Sequence, residues 1–400
     1  MSLTGQRITV IGAGVAGLTV AHALSLRGAT VTLLEQSAAV TDIGAGIQIS
    51  PNGAAVINAL RLGPALAANS IIARSVSLRD GLTDTPVLAM DMTRNPSGQG
   101  FRLVHRADLI GVLRDGAVAA GVEIRLNQKV DHVDLSGPTP VVHLTDGTNH
   151  AAAIVIGADG LHSQVRRVLN GPERPFFTHQ VAWRATIAHE GDSIPMVEVH
   201  MGPGRHLVSY PLREGTLRNI VAVEERTGWA AESWSLRDDP ANLRQAFASF
   251  SPRVRGWLDR VENPNLWGLF RHPVAEVWHQ TTARGGVAIL GDAAHPSLPF
   301  LAQGANMALE DAWCLAQCLA EYATLEAAFG VYQGLRKDRT AAIVAAANTN
   351  ARAYHLSGVT RRVAHLGLRI GGRLAPNFAL GRFDWIYGHD VTDVQNSPVK

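Results

Sequence analysis

The sequence predicts an α/β protein in which a parallel sheet of Rossmann type is interrupted by an inserted antiparallel sheet and followed by a helical region. Three observations predict this order. A β-branched run at residues 7–11 leads into closely spaced glycines and then a helical pattern. Several short runs within residues 176–278 alternate apolar and polar side chains, as antiparallel strands do. Helical patterns with small apolar faces dominate residues 315–374.

The composition is that of a globular protein with a sizeable core. Of 400 residues, 46% are hydrophobic and 18% are charged, so two domains or an inserted layer are expected. The net charge of +2 and the scattered basic residues give no argument for nucleic acid as a partner. The arginines at 361, 362, 369 and 373 are expected on a solvated helix face.

The compartment is predicted from what the sequence lacks. No apolar run approaches the roughly 18 residues that a membrane-spanning helix needs, and no signal-peptide pattern precedes residue 7. Cys314 and Cys318 lie four residues apart in a predicted helix and are expected to be buried thiols. We therefore expect a cytoplasmic protein, with no metal site.

The first turn is suited to a phosphate. Its glycines have the spacing G-x-G-x-x-G: Gly12 allows a tight turn, Gly14 lets the backbone approach a pyrophosphate, and Gly17 lets the helix lie close to the strand. Helix N-terminal amides and the helix dipole then face the anion. The contacting residues predicted here are Gly12, Ala13, Gly14, Val15, Ala16 and Gly17.

An acidic residue follows the second predicted strand. The predicted strand at residues 30–34 is followed by Glu35 and Gln36, about twenty residues beyond the glycines. At that position a carboxylate can accept a hydrogen bond from a ribose hydroxyl. Glu35 favours a ribose without a phosphate. These features predict a dinucleotide and do not distinguish FAD from NAD.

Further site candidates follow later strands. Asp159 lies in the run Gly157-Ala158-Asp159-Gly160, which ends a predicted strand, and Asp292 follows a strand at 287–290. Ligands of open α/β sheets bind at the carboxyl ends of strands. A helix beginning near Gly304 aims a second dipole at the ligand, and Asn306 could cap this helix or donate to the ligand.

Two other candidates rest on weaker patterns. Residues 101–109 are predicted to be helical, and Arg106 near the helix start could reach phosphates or could be an ordinary surface residue. A glycine-rich loop at 43–52 could wrap a dinucleotide, with Gln48 offering its amide to a ring or a substrate. An ordinary mobile loop fits those residues equally well.

Three spaced motifs together resemble the class A flavoprotein monooxygenases, the aromatic hydroxylases of the para-hydroxybenzoate hydroxylase type. The glycines of the first turn match the dinucleotide fingerprint of this family. Residues 157–160 with Ser163 and Arg166 match its Asp-Gly motif, and residues 291–296 match its Gly-Asp motif. The runs at 44–52 and 299–308 are most similar to salicylate hydroxylase, 3-hydroxybenzoate 6-hydroxylase and 6-hydroxynicotinate monooxygenase.

The resemblance implies a domain organisation. An FAD-binding domain of GR2 type would comprise residues 1–74, 101–175 and 279–320, a substrate-binding β-sheet layer residues 75–100 and 176–278, and a C-terminal helical region residues 321–400.

The resemblance also implies bound FAD. Glu35 would bind the adenosine ribose, Arg106 and the first turn the phosphates, and Asp292 the region of the ribityl chain. Asp159 would serve both FAD and the visiting NAD(P)H, and helix-end amides would face the pyrimidine edge of the flavin. The cofactor-binding set implied beyond the first turn is Glu35, Gln36, Arg106, Val130, Asp159, Gly291, Asp292, Gly304, Ala305 and Asn306.

The implied catalytic residues are His206, Tyr210, Pro299 and Gln48. His206 and Tyr210 match a histidine and tyrosine that the relatives carry on a substrate-domain strand, and period-two alternation puts both on one face. A neutral histidine could accept the phenol proton, although a solvent-exposed face would show the same spacing. Pro299 would lie beside the flavin. Gln48 departs from the nicotinate enzyme, which has histidine there.

The implied activity is hydroxylation of a small phenolic or hydroxylated aromatic acid, with NADH or NADPH and O2 as co-substrates, through a flavin C4a-hydroperoxide. The protein would be a monomer or a homodimer. One alternative is an FAD-dependent oxidase or reductase of an apolar substrate without oxygen insertion. Another is a nucleotide-binding module without turnover.

Overall fold

A computed structural model describes residues 2–40, 45–94, 98–189, 194–228, 232, 236–374 and 378–393. Residues 43 and 44 of the predicted glycine-rich loop lie outside these ranges. The strands are β1 (Arg7–Ile11), β2 (Thr30–Leu34), β3 (Gly46–Ile49), β4 (Ser70–Ile72), β5 (Ser75–Asp80), β6 (Pro86–Asp91), β7 (Arg102–His105), β8 (Glu123–Arg125), β9 (Val130–Asp134), β10 (Val141–Leu144), β11 (Asn149–Ala151), β12 (Ile154–Gly157), β13 (Phe176–Ala188), β14 (Met196–Gly202), β15 (Arg205–Leu212), β16 (Leu217–Glu225), β17 (Asn265–Arg271), β18 (His279–Thr282) and β19 (Gly285–Ile289). The helices are α1 (Val15–Ser25), α2 (Pro51–Ala59), α3 (Gly63–Ala68), α4 (Arg106–Ala119), α5 (Gln164–Asn170), α6 (Pro240–Ala246), α7 (Pro252–Leu258), α8 (Gly304–Glu321), α9 (Leu325–Tyr354), α10 (Gly358–Leu374), α11 (Phe378–Gly381) and α12 (Asp384–Tyr387).

The predicted Rossmann-type sheet is present, with strand order β18-β19-β12-β1-β2-β8. All its pairings are parallel except that of β18 with β19. Every residue of β12 and β19 is buried, as expected for parallel strands covered on both faces. Ile11 pairs with Gly157, which pairs with Ile289, so β1, β12 and β19 end at one edge of the sheet.

A second sheet has the strand order β17-β13-β16-β15-β14-β5-β6. The prediction of a purely antiparallel sheet is wrong at one pair, because β14 and β5 are parallel. A short hairpin joins only antiparallel strands, and more than a hundred residues of chain separate β5 from its parallel neighbour β14. Strand segments from residues 75–91 and 176–271 build the sheet, in keeping with the predicted substrate layer. The exact domain boundaries stay a prediction.

The prediction of one helix over residues 101–109 is wrong in its first half. Residues 102–105 form β7, which pairs with β3 and β4. Leu103 and Val104 are buried in that small sheet, so tertiary pairing decides their conformation. The helix begins at Arg106, whose N–H donates to the carbonyl of Ala45 at 2.9 Å.

The arginines of α10 do not form the predicted solvated face. Arg361 donates to Asp80 at 2.6 Å, and Arg369 donates to the carbonyl of Pro86 at 3.2 Å. The outward face of α10 is largely apolar, and Val359, Val363, Leu366, Ile370 and Leu374 are exposed there. Only Arg362 and Arg373 are solvated as expected.

Cys314 and Cys318 are buried free thiols on α8, as predicted. Of the helices in the described part of the chain, none combines the length and apolar character needed to cross a bilayer. Among the described residues, no group of three or more His, Cys, Asp or Glu side chains is placed so that it could hold a metal ion.

Arg166 joins the Asp-Gly motif to the Gly-Asp motif. Its guanidinium, buried at the second residue after the start of α5, donates to the carbonyls of Ala293 and Ala294, both at 2.9 Å, and of Pro273 at 2.6 Å. It also pairs with Glu173. One side chain therefore fixes the turn at 291–294 against the end of β12.

A buried ion cluster fixes the same turn from the opposite side. Asp311 on α8 accepts from the N–H of Gly291 at 3.1 Å and contacts Nε2 of His295 at 2.5 Å. Arg336 on α9 donates to Asp311 at 2.7 Å. Burial alone would raise the pKa of Asp311, but the charges of His295 and Arg336 outweigh it and lower this pKa to about 2.

We predict that Gly17→Ala lowers the free energy of unfolding by about 1–3 kcal/mol, because a Cβ at residue 17 would overlap the carbonyl oxygen of Gly12. Gly334→Ala on α9 is the matched control: no atom lies within 4 Å of its added Cβ. It should raise stability by about 1 kcal/mol. Chemical denaturation measures both, and equal effects would contradict close packing of α1 on the first turn.

We predict that Arg166→Lys destabilises the fold by about 3 kcal/mol, because an ammonium cannot donate to three carbonyls and Glu173 together. Arg167→Lys, at the exposed neighbouring position, is the control and should change stability little. Thermal unfolding of both variants decides this, and a wild-type melting temperature for Arg166→Lys would disprove the role of the clamp.

Candidate active site

A cavity of about 390 Å³ lies between the two large sheets. Residues that follow β1, β12 and β19 form one side of it, together with the start of α8. Residues of β13 to β16 form the other side. A cavity of this size at the carboxyl edge of a parallel sheet is where a small ligand and a dinucleotide are expected to meet.

The first turn has the predicted geometry. Gly12 adopts φ +99°, and its N–H donates to the carbonyl of Leu34 at 2.8 Å. A Cβ on Gly12 would lie 2.5 Å from the carbonyl oxygen of Ala158, so β1 and β12 approach too closely for any side chain there. No atom lies within 4 Å of a Cβ placed on Gly14, which leaves room for a phosphate beside the N-terminus of α1. Gly14, Val15 and Ala16 line the cavity.

Glu35 lies at the end of β2 and holds the first turn. Its carboxylate accepts from the N–H of Ala13 at 2.8 Å and from the N–H of Ser37 at 2.8 Å. Gln36 is exposed, and Val130 begins β9, two residues beyond Gln128, whose N–H donates to the Glu35 carbonyl at 2.8 Å. Contacts of Glu35, Gln36 and Val130 with an adenosine ribose stay a prediction.

The carboxylate of Asp159 caps α5. It accepts from Oγ of Ser163 at 2.5 Å and from the N–H of Gln164 at 2.7 Å, and burial raises its pKa. Its neighbours Ala158 and Gly160 line the cavity. The side chain thus orders the Asp-Gly turn, and a direct contact with the cofactor stays a prediction.

Asp292 faces the cavity in the turn that Arg166 and Asp311 hold. The protein around it desolvates its carboxyl and raises the pKa, and the charges of His295 and Arg106 partly offset that rise. Gly291 has φ +61°, and a Cβ there would lie 3.0 Å from that of Ala16 on α1. The first turn and the Gly-Asp turn are therefore in contact.

The N-terminus of α8 points its amides at the cavity. The N–H groups of Gly304, Ala305 and Asn306 precede the first intrahelical bond, which Met307 donates to the carbonyl of Gln303 at 2.8 Å. Gly304 and Ala305 line the cavity. Ala302, just before the helix, adopts the left-handed conformation with φ +52°, an uncommon backbone for alanine that clusters at functional sites.

The side chain of Asn306 fixes the neighbouring strand. Its Oδ1 accepts from the N–H of Ser50 at 3.0 Å, and its Nδ2 donates to the carbonyl of Gln48 at 3.1 Å and that of Ala302 at 2.9 Å. It therefore positions Gln48, and only its backbone N–H is available to a ligand.

These features fit FAD. The open position at Gly14 and the N-terminus of α1 suit the pyrophosphate, with Arg106 as a cation on the same cavity. The amides at the start of α8 suit the flavin ring, where negative charge develops on reduction. The predicted first turn, Arg106, Asp292 and the start of α8 all lie on this one cavity.

His206 and Tyr210 lie on the cavity wall, and both are buried, so they do not occupy a solvent-exposed face. Val208 lies between them on β15, as the period of two predicts. Burial raises the pKa of Tyr210, and the neighbouring Arg184 and Gln48 side chains offset part of that rise. Pro299 begins a short 3-10 turn, Pro299–Leu301, and also lines the cavity.

Sequence reasoning missed several cavity residues. Arg184 on β13 shares a face with Val221 and Val208 through direct strand pairing. The period of two, which puts Arg184 on the same strand face as Ala182 and Thr186, was a signal that could have found it. Gln303 bridges Ser50 and Asn52 at 3.0 and 3.2 Å. Tyr354 and Tyr387 close the cavity from the C-terminal helices, which nothing in the local sequence indicates.

Comparisons with known proteins identify the family. The model of a family described as FAD binding domain matches residues 6–348. The chain is 37% identical to 3-amino-4-hydroxybenzoate 2-monooxygenase of Streptomyces cremeus, over 88% of each chain. It is 31% identical to 3-hydroxybenzoate 6-hydroxylase of Klebsiella oxytoca, over 96% of each chain. A salicylate hydroxylase substrate complex has the same fold, with a TM-score of 0.78 at 23% identity over 97% of this chain and 96% of that one.

These relatives favour oxygen insertion over the oxidase, reductase and binding-module alternatives. The three motifs, the cavity that joins them and the match over most of the length agree. The chain therefore belongs to the class A flavoprotein aromatic monooxygenases, single-chain enzymes that use FAD, NAD(P)H and O2.

Proposed function

We propose that this enzyme hydroxylates a small aromatic acid that carries a ring hydroxyl, and that His206 takes the proton of that hydroxyl. The observation that carries the proposal is the composition of the cavity wall. Val199, Val208, Val221 and Val223 form an apolar surface for a ring, and the imidazole of His206, the phenol of Tyr210 and the guanidinium of Arg184 lie on the same cavity.

FAD supplies the redox chemistry and the activation of O2 when it is bound. The first turn and Arg106 would bind its phosphates. Glu35, Gln36 and Val130 would surround its adenosine ribose. Asp292 would lie near its ribityl chain. Asp159 orders the turn that faces it. Gly291, Gly304, Ala305 and Asn306 contribute backbone close to the ring. Pro299, which lines the same cavity, would lie beside the ring.

His206 is uncharged at neutral pH and, because its pKa is lowered, can pass a proton on rather than hold it. Burial and the neighbouring His355 hold its pKa well below the usual value, so the imidazole is neutral at pH 7. A neutral imidazole in the cavity can take a phenol proton, and the phenolate ring is then richer in electrons at the carbon to be hydroxylated. Tyr210, held by Gln48, can donate to the substrate oxygen because its own raised pKa keeps it protonated.

Arg184 supports a carboxylate on the substrate. Two arginines line the cavity among the described residues, and the charge of Arg106 acts on Asp292 at the cofactor side. Arg184 acts on Tyr210 instead, since its charge offsets part of the rise that burial causes in the pKa of that phenol. A guanidinium beside an apolar surface is the group expected to bind an aromatic acid. The relatives named for 3-amino-4-hydroxybenzoate and 3-hydroxybenzoate act on such acids.

We also propose a cytoplasmic enzyme, since two buried free thiols are typical of a reducing compartment. A monomer or a homodimer is compatible with the proposal.

His206→Gln should lower coupled hydroxylation by about 100-fold or more while FAD content stays at the wild-type level, because general base catalysis contributes about that much. NAD(P)H consumption and product analysis with a panel of hydroxybenzoates and hydroxypyridines measure this. The loss should shrink as pH rises, because the free substrate is then already a phenolate. His132→Gln, on the exposed edge of a small sheet, is the control. Unchanged coupled turnover in His206→Gln would refute the role of His206.

Arg184→Gln should raise KM for hydroxybenzoates by about 10- to 100-fold, as expected for loss of a charged hydrogen bond. It should change KM little for the matching phenols that lack a carboxylate. Arg226→Gln, whose guanidinium packs on Trp183, is the control. Equal changes for acids and phenols would show that Arg184 does not read the carboxylate.

A further inference from the structure

Two histidines and a glutamate form a hydrogen-bonded chain from the cavity to the protein surface. Nδ1 of His206 lies 2.7 Å from Nε2 of His355, and Nδ1 of His355 lies 2.7 Å from Oε1 of Glu225. His206 and His355 are buried, whereas the Glu225 side chain is 51% exposed. We propose that this chain is the path by which the substrate proton leaves the cavity, with His355 and Glu225 as positioning residues that act through His206. The proposal rests on the proposed role of His206 as the base.

The chemistry of the three groups gives the chain a direction. A carboxylate only accepts hydrogen bonds, so His355 must carry its proton on Nδ1 to donate to Glu225. A neutral His355 then offers Nε2 as an acceptor, and His206 must donate to it from Nδ1. That leaves Nε2 of His206 with a free lone pair. The surface carboxylate therefore selects the tautomer in which His206 can act as a base toward the cavity.

The same chain can carry one proton outward. The substrate hydroxyl loses its proton to Nε2 of His206, and the Nδ1 proton of His206 passes to Nε2 of His355. The Nδ1 proton of His355 passes to Glu225 and from there to water. One proton enters and one leaves, so charge balances and no electron moves. Reverse passage, when product is reprotonated, restores both starting tautomers.

The surroundings hold both rings in place. His355 follows the end of α9, and its carbonyl accepts from the N–H of Gly204 at 3.2 Å. The carbonyl of Gly204 in turn accepts from the N–H of Glu225 at 2.8 Å, so the backbone ties His355 to Glu225. His206 also packs against Tyr354, with ring centroids 5.2 Å apart. The pKa of His355 is lowered by burial and by the charge of Arg205, and Glu225 offsets only part of that fall. Because the pKa of His206 is lowered as well, both rings can pass a proton at neutral pH without holding it.

The first test needs no ligand. Nitrogen-15 NMR of the holoenzyme with labelled histidine reports the tautomer of each ring, and His206→Gln and His355→Gln identify the two signals by their loss. We expect protons on Nδ1 of both His206 and His355. A proton on Nε2 of His206 in the wild-type enzyme would overturn the proposal.

The second test follows the proton itself. The holoenzyme is mixed with 3-amino-4-hydroxybenzoate in weak buffer with a pH indicator, with 3-aminobenzoate as the ligand that has no hydroxyl proton. We expect Glu225→Gln and His355→Gln to slow proton release at least tenfold with unchanged FAD content and ligand affinity. Glu224→Gln, one residue away, should match the wild type. Added imidazole should restore part of the rate in His355→Ala, which a purely structural role would not allow.

The outcomes separate the two proposals. If His206→Gln abolishes proton release while Glu225→Gln and His355→Gln release protons at the wild-type rate, the relay is wrong and the base assignment stands. If His206→Gln still releases the proton, the base assignment is wrong and the relay falls with it.

Discussion

Everything at this site depends on three parallel strands that end at one rung of a sheet. Because Ile11, Gly157 and Ile289 are paired in register, the turns that follow β1, β12 and β19 must share a small space. Gly12 lies so close to Ala158 that no Cβ fits, and Gly291 packs against Ala16. More than a hundred residues separate each motif from the next, yet all three meet at one edge of the sheet. Because the turns are so close together there, only small residues fit at their contacts.

Crowded turns need to be held, and polar groups do this from within the protein. Arg166 binds the carbonyls of the Gly-Asp turn, Asp311 binds its first N–H, and Arg336 compensates the charge of Asp311. Breaking one partner of such a buried network leaves an uncompensated charge, which is far more costly than the network is worth as a whole. The uncharged side chain of Asn306 holds β3 by hydrogen bonds to the backbone of Gln48 and Ser50, which keeps Gln48 beside Tyr210.

The parts that the sequence predicted well are those fixed by local pattern. The strand and helix around Gly12, the strands that end before Asp159 and Asp292, and the alternation of His206, Val208 and Tyr210 all follow from neighbouring residues. The period of two in a strand was enough to predict which side chains share the face that lines the cavity.

What the sequence could not predict depends on distant partners. The parallel pairing of β5 with β14, the strand at 102–105 and the inward turn of Arg361 toward Asp80 are set by residues far along the chain. Arg184 reaches the cavity through sheet register, and His355 meets His206 across 149 positions. Asp159 shows the opposite case: its place was predictable, but its carboxylate caps α5.

We propose that FAD binds at one edge of the parallel sheet with its reactive ring toward the wall of β15. A crystal structure of the enzyme with FAD and 3-amino-4-hydroxybenzoate would decide this. We expect the pyrophosphate at the turn from Gly12 to Gly17, the ring beside Pro299 and the start of α8, and the ligand hydroxyl at Nε2 of His206. A flavin ring outside this cavity, or a ligand hydroxyl turned away from His206, would contradict it.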